Sequence, residues 1–316
     1  MDMGFFYDYD FTLTEEIQTF PIFRKYMKNL SAVYGISKPE EYWKLCEGTD
    51  MGIGYMEQIV LDAKGVFCDL TNKKMEQEFA KEVKLAEGLF NWFTRMNKFV
   101  LKLGSGNKLE HHVISVGLLP LIRGSSVSSY VNSITAGEFL EKDGRIYKIK
   151  SIIDPFRKIE SFKRICKGTN LHEDISIDKY HIKYRNAFTF GDGLSDIDLF
   201  RYARQRGAIV IAVFEPGNRK DFKKIKKLTK INNPEESFVN LIVPRDYSKN
   251  SILNEVIQQK IYEMVEAEKH CDMTFELIHN WKLNHIENKG ICSIVRKHFE
   301  NCKYCQSKFY PAVYFS

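Results

Sequence analysis

A short aromatic run, Met3-Gly4-Phe5-Phe6-Tyr7, stops abruptly at Asp8, and a second carboxylate, Asp10, follows two residues later. The run has the composition of a buried β-strand, and the hydroxyl residues Thr12 and Thr14 come soon after the acids. Carboxylates at i and i+2 just past a strand end can project into one crevice, the place where open α/β sheets bind ligands. Burying two such charges is costly unless a cation or a reaction needs them. The chain is therefore expected to build a parallel α/β sheet with an acidic crevice at the carboxyl ends of its strands.

Three later stretches place further chemistry at the ends of elements. His112-Val113-Ile114-Ser115-Val116-Gly117 is an apolar strand that ends in a hydroxyl. Asp154-Pro155-Phe156-Arg157-Lys158-Ile159-Glu160 puts a lysine at the head of a helix. Asn186-Ala187-Phe188-Thr189-Phe190-Gly191-Asp192-Gly193-Leu194-Ser195-Asp196-Ile197-Asp198 is again a short strand, followed by Gly-Asp-Gly and a further carboxylate at Asp196. In this order the four stretches resemble the four motifs of the haloacid dehalogenase superfamily of aspartate-nucleophile phosphatases, over about residues 5–243. The wording Ile114-Ser115-Val116-Gly117-Leu118-Leu119-Pro120 is similar to the phosphoserine-phosphatase-like branch.

The resemblance implies a Rossmann-like core, a parallel sheet flanked by helices, and a Mg²⁺-dependent phosphomonoesterase acting on a small phosphorylated substrate. Asp8 is then the nucleophile, and Asp10 the group that protonates the leaving oxygen and later activates water. Ser115 hydrogen-bonds a phosphoryl oxygen, with donors from the backbone around Val116 and Gly117. Lys158 balances the charges of Asp8 and the phosphate, with Lys163 and Lys148 as rival lysines. The metal ligands are Asp8, the backbone carbonyl of Asp10, Asp192 and Asp196, while Asp198 reads as a helix-start residue complementing the dipole. Mg²⁺ suits such a sparse carboxylate set because it keeps several waters and takes a phosphate oxygen. Gly191 and Gly193 let a tight loop approach the ion. One departure is Phe11, where many members carry glycine; its amide can still face the phosphoryl group, but the bulky ring must pack somewhere, which touches the mouth of the site rather than the chemistry. Because Asp10 is present, a dehalogenase is disfavoured, whereas a phosphomutase shares the same residues.

Apolar residues recur at helical spacing in 22–30, 55–61 and 75–85, with no strand pattern between them. Residues 15–85 therefore read as a helical cap inserted after the first motif, where substrate access can be controlled. Residues 1–14 and 86–245 form the core, and 246–316 a helical C-terminal extension. Within the core, 119–133 reads as a helix, while 137–147 reads as two strands around an Asp143-Gly144 turn. Helices at 158–167 and 197–206 are closed by Gly168 and Gly207, and 208–214 and 238–243 are strands. Phe90, Trp92 and Phe93 are expected to pack a helix on the core. Adjacent His111 and His112 would face opposite ways on a strand and cannot chelate together, so turn or surface positions are expected.

Composition adds exclusions. In 316 residues with 44% hydrophobic and 28% charged content, no apolar run approaches the roughly 18–20 residues of a membrane span. The first strand starts almost at once, so no signal peptide is expected, and seven scattered cysteines read as the reduced thiols of a cytoplasmic protein. The net charge of +6 is mild; much of it sits in residues 219–227, read as a solvated helix face, and nucleic acid is not an expected partner. The competing class is a binding or regulatory protein that kept the fold without turnover. Its support is the Cys302-x2-Cys305 pair with His298 upstream and Cys292 as a fourth candidate zinc ligand. A single such pair lacks the repeated spacing of a zinc site, and free or buried thiols are the simpler expectation.

Overall fold

A computed structural model describes residues 1–284 apart from 51, 234 and 235. The candidate zinc residues Cys292, His298, Cys302 and Cys305 lie outside the described residues. The chain divides into two compact units, Met1–Ile257 and Gln258–Ser316. In the second, the described residues continue a helix that begins in the first. Among the described residues no helix is long and apolar enough to cross a membrane.

The first unit is built on a seven-stranded sheet. Strand β1 (Asp2–Tyr7) leads into the helices α1 (Phe20–Lys25), α2 (Met27–Tyr34), α3 (Gly54–Asp62) and α4 (Asn72–Gln77), with a 3-10 helix over Pro39–Cys46. Helix α5 (Leu89–Lys102), strand β2 (Lys108–Leu118), helix α6 (Leu119–Gly124) and strands β3 (Ser133–Lys142) and β4 (Arg145–Ser151) follow. The chain continues through α7 (Pro155–Lys167), β5 (Ala187–Gly191), α8 (Ile197–Gln205), β6 (Ile209–Phe214), α9 (Arg219–Leu228), β7 (Leu241–Pro244) and α10 (Ile252–Asn284). The sheet order is β4-β3-β2-β1-β5-β6-β7, parallel throughout except for β4, which runs antiparallel to β3.

Strand β1 is central, and its Phe5, Phe6 and Tyr7 are buried on both faces, as expected of an unbroken apolar run in a parallel sheet. On one face Trp92 and Phe93 of α5 pack against Phe5 and Tyr7. On the other, Phe6 meets Phe162 of α7 at a ring-centroid distance of 4.7 Å. The turn between β3 and β4 has positive φ at both Asp143 (52°) and Gly144 (74°), the two-residue geometry that matches strand twist. Helices α1–α4 share a core of their own around Phe23, Tyr42 and Phe67, which also takes in Leu118, Phe139 and Ile146 from the sheet side. Buried Asp62 accepts the Tyr42 hydroxyl at 2.7 Å inside that core.

Several sequence expectations need correction. Residues 119–133 are not one helix: α6 ends at Gly124, whose Cα packs so tightly that a Cβ would sit 2.0 Å from the Glu76 carbonyl oxygen, and the chain leaves extended at Ser125. The helical pattern over 75–85 is not one helix: α4 ends at Gln77, a 3-10 turn covers Phe79–Lys81, and Leu85 bridges to Thr14. Strand β7 starts at Leu241 because the Phe238 amide is taken by the Thr229 carbonyl. His111 and His112 are neither turn nor surface residues; both are buried in β2, facing opposite sides. Phe90 is 65% exposed and meets Tyr130 rather than the core.

Candidate active site

The site lies where β1 ends between β2 and β5, the point at which sheet order reverses direction from the middle outwards. The Asp8 amide is held by the Phe190 carbonyl at 2.9 Å, so the first acid sits directly beyond the ladder. The chain then folds tightly on itself: the Tyr9 carbonyl accepts the amides of Thr12, Leu13 and Thr14. Phe11 takes a left-handed conformation, φ 55°, which explains why glycine suits this position. Its amide donates to Thr14 Oγ1 at 3.1 Å and is therefore engaged within the loop. Its carbonyl accepts from Arg245 Nη1 at 2.7 Å, and the Thr12 carbonyl accepts from the Tyr247 hydroxyl at 3.0 Å.

Lys158 reaches Asp8 because α7 starts where it does. Asp154 caps the helix by accepting the Arg157 amide at 2.8 Å, Pro155 opens its first turn, and Gly168 closes it in the left-handed conformation. This sets Lys158 one turn inside, fully buried, with Nζ 2.9 Å from Asp8 Oδ1, 2.7 Å from Asp196 Oδ1 and 3.2 Å from Ser195 Oγ. The two buried carboxylates hold its pKa above the ordinary lysine value against the opposing effect of burial. The rival lysines sit elsewhere: Lys163 lies over the Tyr202 ring and Lys148 is exposed on β4.

Asp8, Asp192 and Asp196 each offer a carboxylate oxygen, and all three oxygens lie within 4.8 Å of one another. Burial, and then the neighbouring acids Asp196 and Asp8, drive the Asp192 carboxyl well above its usual range. Asp196 is pushed up to about 6, chiefly by burial, with Lys158 opposing. Its Oδ2 is buried without a hydrogen-bond partner. Three crowded hard-oxygen donors with one lysine to balance them fit a divalent cation. Gly191 is required here, since a Cβ would lie 2.3 Å from Asp196 Oδ2. Asp198 lies in the first turn of α8, 3.5 Å from Arg201, outside this cluster.

The Asp10 carboxylate also stands apart from the three. Gln18 holds it, donating from its amide at 2.9 Å and from Nε2 at 3.3 Å to Oδ1. Burial first, then the charge of Asp8, raises its pKa to about 7. Ser115 is buried at the end of β2, and its Oγ accepts the Gly117 amide at 3.0 Å. That amide is thus engaged internally, whereas sequence reasoning gave it to the ligand. Asp8, Asp10, Ser115 and Asp192 all line one cavity of about 470 Å³. Lys158 and Asp196 lie behind it.

Sequence reasoning missed Gln18, Arg245 and Tyr247. Gln18 is fully buried and ties the first and second strand ends together: besides holding Asp10, its Oε1 accepts the Leu118 amide at 2.9 Å. A Cβ on Gly117 would lie 1.8 Å from Gln18 Nε2, so glycine is needed for the close approach. Nothing local in the sequence joins residues so far apart.

No family model matches the chain. It is similar to an uncharacterized protein of Borreliella burgdorferi, 24% identical over 219 residues that span 63% of this chain and 73% of that one. Among solved structures it is similar to phosphoserine phosphatase in its apo form, with a TM-score of 0.52 and 17% identity over 82% of this chain and 98% of that one. A phospho-aspartyl intermediate analogue of phosphoserine phosphatase gives a TM-score of 0.50, also at 17% identity over 82% and 98% of the two chains. The chain shares the fold of these phosphoserine phosphatase structures.

Proposed function

We propose that this chain, with its haloacid dehalogenase fold, is a Mg²⁺-dependent phosphomonoesterase that acts on a small phosphorylated metabolite through an aspartyl-phosphate. In this reading residues 15–85 cap a core made of 1–14 and 86–245, and 246–316 form an extension. The observation that carries it is the buried Asp8–Lys158 pair, 2.9 Å apart, within a three-carboxylate cluster beside a cavity.

The site would work as follows. Asp8 attacks phosphorus with a carboxylate oxygen, and the ester P–O bond breaks as the new one forms. Asp10, whose carboxyl has a pKa of about 7, gives its proton to the departing alkoxide. The ionised Asp10 then takes a proton from water as that water attacks phosphorus, which frees inorganic phosphate and restores Asp8. Gln18 keeps the Asp10 carboxylate in one orientation during both transfers. Ser115 supplies a hydroxyl donor to the phosphoryl oxygens, and Lys158 offsets the charge that gathers on them. Mg²⁺, held by Asp8, Asp192, Asp196 and the Asp10 carbonyl, would supply the Lewis acidity that lets an anionic nucleophile approach a phosphate.

The test is Mg²⁺-dependent phosphate release from a panel of amino-acid, sugar, nucleotide and lipid-headgroup phosphates. Turnover by the wild type that vanishes in Asp8→Asn supports the reading. Equal turnover by both proteins rejects Asp8 as the nucleophile, and no turnover by folded wild type with Mg²⁺ rejects the reading in favour of a fold retained for binding.

A further inference from the structure

The part of the cavity walled by residues 15–85 has a distinctive chemistry. Residues 15–85 contribute Trp43, Cys46, Thr49, Asp50 and Tyr55 to its wall. Trp43 and Tyr55 stand at a ring-centroid distance of 5.1 Å, tilted by 46°. The Tyr55 hydroxyl donates to the Val116 carbonyl at 2.9 Å, which fixes the ring against the end of β2. Asp50 is exposed and lines the same cavity. Among the described residues of this segment that line the cavity, none is Lys, Arg or His. Among the described residues of the lining the one basic side chain is Lys224 of α9, whose charge acts on Asp192.

Those residues discriminate by charge. Aromatic rings attract a cation through their quadrupole, and most strongly when the cation is desolvated. An exposed carboxylate on the lining adds the same preference and attracts cations. An anionic group in that position would meet Asp50 with no basic side chain from 15–85 to compensate, which disfavours it. Resting on the phosphomonoesterase reading, we propose that the leaving group is a compact amino alcohol whose ammonium or trimethylammonium lies against Trp43 and Tyr55, balanced by Asp50. The substrate class is then a phosphate ester of a cationic alcohol rather than of a carboxylate-bearing one such as serine.

The experiment compares kcat/KM of the full chain with Mg²⁺ for phosphocholine, phosphoethanolamine, glycerol phosphate, phosphoserine and AMP, with p-nitrophenyl phosphate as a generic ester. The expected result is that a cationic ester exceeds glycerol phosphate by about tenfold or more, with phosphoserine lower still. Asp50→Lys should cut the ratio of phosphocholine to glycerol phosphate by about tenfold. Trp43→Ala should raise KM for the cationic ester more than it lowers kcat, with Trp43→Phe restoring much of the loss. Asp8-dependent hydrolysis of p-nitrophenyl phosphate without any cationic preference, or with a preference for AMP or phosphoserine, overturns the inference and leaves the phosphatase reading standing. No hydrolysis of any ester by folded protein overturns both.

Discussion

The Lys158 ammonium lies 2.9 Å from Asp8 Oδ1, the lysine side chain fully buried and the aspartate 7% exposed. Lys158 also closes on Asp196 at 2.7 Å, so one cation holds two carboxylates that would otherwise repel at close range. Removing it leaves both buried without compensation. Lys158→Met should therefore cost about 3–5 kcal/mol of stability in metal-free protein and abolish most turnover. Urea denaturation in chelator reads the first effect and steady-state rates the second. A variant as stable as wild type would show that the pair does not carry this charge balance.

Gln18 donates two hydrogen bonds to Asp10 and accepts one from the Leu118 amide. Gln18→Ala should lower kcat by about 10–100-fold, the range expected when a proton-transfer group is misaligned, and change KM less. Steady-state kinetics on the best substrate checks it. A selective rise in KM would instead make Gln18 a substrate-binding residue.

Metal-free protein should lose stability as pH rises through the acidic and neutral range. The carboxyls of Asp10 and Asp196 are raised to about 7 and about 6, and Asp192 is raised as well. An acid with a raised folded-state pKa holds its proton more tightly when folded, so the folded state binds more protons there than the unfolded one. The sign is therefore destabilising from about pH 4, where unfolded carboxyls titrate, up to about pH 7. Melting temperature in chelator should fall across that window, and added Mg²⁺ should recover it most at the upper end. A flat profile would contradict the crowding of charge that motivates the metal site.

Phe11 holds a left-handed backbone at φ 55°, a conformation that costs a side-chain-bearing residue about 1–2 kcal/mol relative to glycine. Phe11→Gly should thus be more stable than Phe11→Ala by about 1 kcal/mol, although alanine is ordinarily the better residue for order. Thermal or chemical denaturation of the two variants measures the difference directly. Equal stability would mean that the loop relaxes once the ring is gone.

The sheet and the acids at its strand ends were legible because buried parallel strands write themselves as apolar runs that stop at chemistry. Met3–Tyr7 and Ala187–Phe190 are such runs, and the helix around Lys158 announces itself through Asp154, Pro155 and Gly168. Local signals failed where distant packing decides. The Glu76 backbone leaves room only for glycine at Gly124, the last residue of α6, and the Phe238 amide turns to the Thr229 carbonyl rather than into β7. His111 looks like a surface residue until its partners are known. Tyr7 and Asn97 each hydrogen-bond one of its ring nitrogens at 3.0 Å, and burial then lowers its pKa to about 3, which keeps it neutral. Gln18, Arg245 and Tyr247 escaped for the same reason, since each acts on a loop far away in sequence.

The central claim is that Asp8 carries the phosphoryl group, and acid quenching during turnover tests it most directly. The account predicts that peptide mass spectrometry of wild-type protein, quenched with a hydrolysable ester and Mg²⁺ present, finds the peptide containing Asp8 heavier by one phosphoryl group. That adduct should be absent from Asp8→Asn. Steady turnover with phosphate found on a different residue, or with Asp8→Asn still active, would contradict it.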